Sequence, residues 1–221
     1  ILTVRRAGRY AVEARSVSGV LIQLVDKARG PGAWAGRLGE QDGRLDVFLE
    51  PGTYKLRTRG PDSGKGEVSV VVTPFVEANQ PVPELVEVGY LETTLADKQQ
   101  RSFWIDLTAI SRAVTLEAMG PALSELSVWR DGRWRVSVPT RCAEVSPVEG
   151  APMTRCTLQG SLPAGLYLLT ASGGPRKVGG AGDPLYVRAG LDVLTGSIAK
   201  DGVIGPFGVE RVKVRAAPNH R

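Results

Sequence analysis

Apolar and polar residues alternate along most of this chain. Tyr10, Val12 and Ala14 fall on one side of a period-two pattern, and Glu13 and Arg15 on the other. Leu45, Val47 and Leu49 alternate in the same way, as do Val68, Val70 and Val72. Further along come Phe103, Ile105 and Leu107, then Val114, Leu116 and Ala118. Val212 and Val214 alternate with Arg211, Lys213 and Arg215 near the end. A period of two is the mark of a half-buried β-strand. Val20–Val25 is almost continuously apolar and predicts a central strand. No window sustains the i, i+3, i+4, i+7 spacing of a helix, and 27 Gly and 15 Pro punctuate the chain too often for long helices. The expected fold is all-β: two tandem antiparallel β-sandwiches of jelly-roll or immunoglobulin-like type.

One stretch recurs. Leu49-Glu-Pro-Gly-Thr-Tyr-Lys-Leu-Arg-Thr-Arg-Gly60 returns as Leu162-Pro-Ala-Gly-Leu-Tyr-Leu-Leu-Thr-Ala-Ser-Gly173, at a constant offset of 113 residues. Leu, Gly, Tyr, Leu and Gly repeat in place. A period this long fits the same domain used twice rather than a short solenoid unit. The expected organisation is a first sandwich over 1–76, a proline-rich linker over 77–84 and a second sandwich over 85–190. Residues 191–221 then either close the second sandwich or begin a third module.

Between the strands, Asp26–Gly43 reads as a long Gly-rich excursion. Its Trp34 is either a lid over the end of the first sandwich or an exposed contact residue. Asp131-Gly132 is a strong hairpin signal. A two-residue turn there would set Arg130 opposite Arg133 and Trp129 opposite Trp134, making the two indoles neighbours on one face. They would form a platform for sugar rings or cap the core.

The formal charge of +5 is spread along both halves, and no nucleic-acid-binding motif accompanies it. No nucleic-acid partner is expected. Lys55, Arg57 and Arg59 alternate outward from Tyr54 and Leu56 and could meet an anionic polysaccharide or surface. No segment is long and apolar enough to predict a transmembrane span. Cys142 and Cys156 are the only cysteines. They form a disulfide, which implies a periplasmic or extracellular setting, or they are two buried thiols.

Catalytic signals are missing. The one histidine is His220, near the end of the sequence. No Gly-x-Ser-x-Gly elbow occurs. Gly60–Gly66 misses the phosphate-loop spacing by one residue and lacks the Ser or Thr that binds magnesium. No carboxylate pair stands out for glycoside hydrolysis. No enzyme activity, cofactor or metal is expected.

The Leu-x-Pro-Gly-Thr-Tyr-x-Leu pattern at Leu49–Leu56 follows Asp42, Leu45 and Asp46, and is preceded by Gly8-Arg-Tyr-Ala-Val12 and Val20–Asp26. This layout resembles bacterial pre-peptidase C-terminal β-sandwich domains, and Leu162–Gly173 matches it more loosely. The resemblance implies secreted, non-catalytic modules appended to larger exported proteins. The expected function is therefore a binding or spacer module of a larger bacterial secreted or periplasmic protein, with a polysaccharide or protein partner. One alternative is a carbohydrate-binding pair using Trp34, Trp129 and Trp134 with Arg130, Arg133, Lys55, Arg57 and Arg59. Another is the N-terminal region of a protease-trapping protein of the α2-macroglobulin kind.

Overall fold

The computed structural model describes residues 1–26, 30–38, 42–60, 67–85, 90–109, 112–145, 152–175 and 182–191. Among them there is no helix, and the strands pair antiparallel. The chain divides into two compact units, Ile1–Val76 and Glu77–Arg221.

The first unit carries β1 (Leu2–Val4), β2 (Gly8–Arg15), β3 (Leu21–Asp26), β4 (Gly30–Pro31), β5 (Gly43–Leu49), β6 (Gly52–Arg59) and β7 (Ser69–Pro74). They form two sheets, ordered β1-β6-β3-β4 and β5-β2-β7. Val12 and Ala14 of β2 meet Val20 and Ile22 in a small core, with Leu45, Val47, Leu56 and Val72 packed half-buried against it. The alternation read from the sequence supplies these inward faces. Val20–Val25 is less enclosed than expected. Ile22 and Gln23 are buried, but Leu21, Leu24 and Val25 are only half-buried.

The segment after Asp26 is more ordered than a Gly-rich composition suggests. Gly30–Pro31 pairs with the end of β3. The N–H of Gly32 donates to the Leu24 carbonyl, and Ala35 and Ile22 exchange two 2.9 Å backbone bonds. The main chain finds its partners by folding back along β3.

The second unit carries β8 (Val76–Glu77), β9 (Leu91–Leu95), β10 (Gln99–Asp106), β11 (Arg112–Gly120), β12 (Leu123–Arg130), β13 (Trp134–Arg135), β14 (Thr140–Val145), β15 (Met153–Leu162), β16 (Leu166–Gly173) and β17 (Asp183–Leu191). One sheet is ordered β13-β12-β16-β10-β8 and the other β14-β15-β11-β17-β9. Phe103, Leu126, Val128, Tyr167 and Leu169 from the first share one core with Leu116, Leu158, Leu185 and Val187 from the second. The proline-rich stretch lies against β10: the Trp104 N–H donates to the Pro83 carbonyl and the Leu85 N–H to the Trp104 carbonyl, both at 2.8 Å. It stays on the outside of the sheet because proline has no N–H for an interior ladder.

The two units match strand for strand. The order β1-β6-β3-β4 corresponds to β10-β16-β12-β13, and β5-β2-β7 to β15-β11-β17. The register matches too. Leu24 opposes Leu56 where Val128 opposes Leu169. Val12 opposes Leu45 where Leu116 opposes Leu158. Val25 opposes Pro31 where Trp129 opposes Arg135. The strand expected at Val209–Arg215, the question of a third module, His220 and residues 61–66 lie outside the described residues.

Candidate binding surface

β6 runs between β1 and β3, with Val25 opposite Lys55, Gln23 opposite Arg57 and Leu21 opposite Arg59. Leu56 packs on the core. Strand alternation then sends Lys55, Arg57 and Arg59 to the other face, where all three are exposed. Neighbours in this row are about 7 Å apart along the strand. No carboxylate among the described residues pairs with any of the three. The row is backed by Gln23, whose buried amide donates to the Gly32 carbonyl at 2.8 Å.

The hairpin at Asp131-Gly132 forms, but not in the expected register. Arg130 pairs with Trp134, and Trp129 with Arg135. Asp131 and Gly132 both have positive φ, at 53° and 64°, and the Arg133 N–H closes the turn on the Arg130 carbonyl at 3.0 Å. Arg133 remains in the loop, so the connection has three residues instead of two. A shift of one residue sends a side chain to the other face of a strand. Trp129 and Trp134 therefore lie on opposite faces, and the expected tryptophan platform does not exist. Arg130 does not face Arg133 either. It reaches back to the Ala164 carbonyl.

Trp129 instead stacks under the guanidinium of Arg135, 6.0 Å from the ring centroid, and Arg135 is held by Glu125 at 2.6 Å. Its indole N–H donates to Ser127 at 3.2 Å. Glu125, Ser127 and Trp129 thus share one face of β12. Trp104, which the alternation of Phe103, Ile105 and Leu107 left on the outer side of β10, opposes Leu168. Gly132 lies over that ring: an added Cβ would sit 3.2 Å from Trp104. Trp134 is 72% exposed and Trp34 is 43% exposed, each away from this cluster of contacts. The tryptophans do not assemble into one surface.

Two polar networks were not legible beforehand. Glu77 accepts from the Ser102 N–H at 3.1 Å, the Ser102 hydroxyl at 2.6 Å and the Asn79 N–H at 3.0 Å. In the other sheet Glu117 is buried and bonded to Arg155 at 2.6 Å and to Arg188. Burial alone would push the Glu117 carboxyl upward. The hydrogen bonds and charges of the two guanidinium groups outweigh it and hold the group below its ordinary value. Glu117, Arg155 and Arg188 sit at outward positions of their strands, where period-two reading alone gives solvent-facing charges.

Cys142 and Cys156 are joined in a disulfide and stand directly opposite one another in the β14–β15 pair, with Cα atoms 4.0 Å apart. Among the described residues no group of three His, Cys, Asp or Glu side chains could hold a metal ion. No helix is long and apolar enough to cross a membrane. No protein-family model matches the chain, and no curated protein matches it.

Proposed function

We propose that this protein is a non-catalytic binding module of a larger secreted or periplasmic bacterial protein, and that it holds an extended anionic polysaccharide along β6. The observation that carries this reading is the row of Lys55, Arg57 and Arg59: three exposed cations on one strand face, with no carboxylate partner among the described residues. A straight row of charges at strand spacing fits a linear polyanion better than a compact ligand. The exposed aromatic residues Trp34 and Trp134 are scattered, so stacking on sugar rings is the weaker contribution.

The two units are read as copies of one β-sandwich, similar to bacterial pre-peptidase C-terminal domains. Support comes from the matched strand order and register and from the shared Leu, Gly and Tyr of the recurring stretch. The Cys142–Cys156 disulfide favours an oxidising compartment.

The test uses dextran sulfate and alginate as probes, with neutral dextran as control. Binding to the anionic polymers should weaken steeply with salt and fall at least tenfold in a Lys55→Gln/Arg57→Gln/Arg59→Gln variant. Equal binding of neutral dextran, or a triple variant that binds as well as the parent, would overturn the reading.

A further inference from the structure

The strand-for-strand match between the units has one gap. In the second unit β17 has a neighbour on each side: β11 on one and β9 on the other. Its counterpart β7 pairs with β2 alone among the described residues. The register makes the comparison residue by residue. Val70 opposes Ala14 where Val187 opposes Ala118, so Val70 matches Val187 and Val68 matches Leu185. Leu185 and Val187 are 0% exposed beside β9, whereas Val68 is 40% and Val70 43% exposed.

The main chain of β7 is also open there. The Phe75 N–H donates to the Arg9 carbonyl, which makes Tyr10 and Pro74 a non-hydrogen-bonded pair. Alternation then directs the N–H and C=O groups of Val70 and Val72 away from β2, toward the free edge. Nothing guards this edge. β7 reads Ser-Val-Val-Val-Thr-Pro, with no charge and with proline only at its last position.

We propose that the edge of β7 is a docking site for an extended strand of a partner polypeptide, which pairs antiparallel to β7 as β9 pairs with β17. The partner strand carries apolar residues at alternate positions, which cover Val68 and Val70, and an acidic residue between them. β9 has this pattern: Leu91, Thr93 and Leu95 alternate with Glu92 and Thr94. The acid has a complement on the first unit. Glu92 opposes Tyr186 in the second unit, and the matching position in β7 is the small Ser69, which itself opposes Arg15. Arg15 has a side chain 59% exposed and can reach across Ser69. Backbone bonds would supply affinity and the alternate side chains selectivity, as in other strand-addition complexes. This site is independent of the basic row on β6.

A synthetic peptide with the sequence of Tyr90–Ala96 is the probe, added to the full chain at millimolar concentration while amide exchange is followed. Exchange at Val70 and Val72 should slow at least tenfold, with little change at Val71, whose N–H already faces β2. A peptide of the same composition with the alternation scrambled should have no effect. Val70→Pro removes the outward N–H without touching the β2 ladder and should abolish the response. Val70→Lys is the second variant should the proline disturb folding, and it too should lose the response. Unchanged exchange at Val70 and Val72 with peptide overturns the proposal. So does protection of those amides in a peptide-free monomer, or protection that tracks dimer formation in sedimentation, which would assign the edge to this chain itself or to a second copy.

Discussion

The hydroxyl of Tyr167 donates to the carbonyl oxygen of Pro163, four residues back, at 2.8 Å. Tyr54 makes the same bond to Glu50 at 3.0 Å, and Tyr10 to Arg6 at 2.8 Å. Each tyrosine follows a Gly two residues earlier, and its ring passes that glycine: an added Cβ at Gly8, Gly52 or Gly165 would lie 3.7, 3.9 or 3.6 Å from Cε2 of the ring. The bond clamps the turn entering a strand, as the tyrosine corner does in immunoglobulin-type sandwiches. Removing a hydroxyl from such a bond costs about 0.5–1.5 kcal/mol. Tyr167→Phe should therefore lower stability by about that amount in urea unfolding. Tyr54→Phe should cost less, because its bond is exposed where Tyr167 is buried.

The two glycines that close the recurring stretch have different jobs. A Cβ at Gly60 would meet nothing within 4 Å, whereas at Gly173 it would come within 2.0 Å of the Ala96 carbonyl oxygen. Gly60→Ala should leave the thermal midpoint nearly unchanged. Gly173→Ala forces backbone apart and should cost about 1–3 kcal/mol or more. Differential scanning calorimetry of the two variants checks the contrast, and equal effects would contradict it.

Glu117 should make the second unit acid-sensitive. Its carboxyl is held below its ordinary value in the fold by Arg155 and Arg188, against the opposing effect of burial. The unfolded chain therefore binds this proton more readily than the folded one. The stabilisation is complete above the ordinary carboxylate range and is lost as pH falls through the lowered folded-state value. Glu117→Gln should flatten that part of the pH–stability curve. Breaking a buried pair of this kind costs about 3–5 kcal/mol at neutral pH. Arg188→Met, which leaves Arg155 as the printed partner of the carboxylate, should also destabilise and should raise the pH at which acid unfolding begins.

The disulfide closes a loop with a sequence separation of 14. In the chain-entropy account a loop of that size contributes about 3 kcal/mol. Reduction, or a Cys142→Ser/Cys156→Ser double variant, should lower the unfolding free energy by roughly that amount with the sheets retained in circular dichroism. Loss of less than about 1 kcal/mol would mean that the β14–β15 ladder holds the loop closed unaided.

Much of the strand content could be read directly. The alternations at Tyr10–Ala14, Phe103–Leu107 and Val114–Ala118 each became strands with those residues inward. They could be read because half-burial leaves a period of two in the chain itself. The outward row of Lys55, Arg57 and Arg59 was legible for the same reason. The hairpin at Asp131-Gly132 was legible as a turn but not in its length. Whether Arg133 enters the ladder depends on how Trp134 and Arg135 meet Arg130 and Trp129, and no local preference of Asp-Gly fixes that. One residue of slip was enough to part the two indoles.

What the sequence by itself determined is the local content: strands from alternation, turns from Gly and Pro, a recurring Leu-Gly-Tyr stretch, and two cysteines spaced for a bridge. Only the tertiary structure decided which strands lie side by side. It set Glu117 among arginines from two other strands, laid Trp104 under Gly132, and left β7 with one neighbour where β17 has two. The physical reason is range. Alternation and turn chemistry act over a few residues, while pairing, register and burial of an outward position depend on chain segments many tens of residues away.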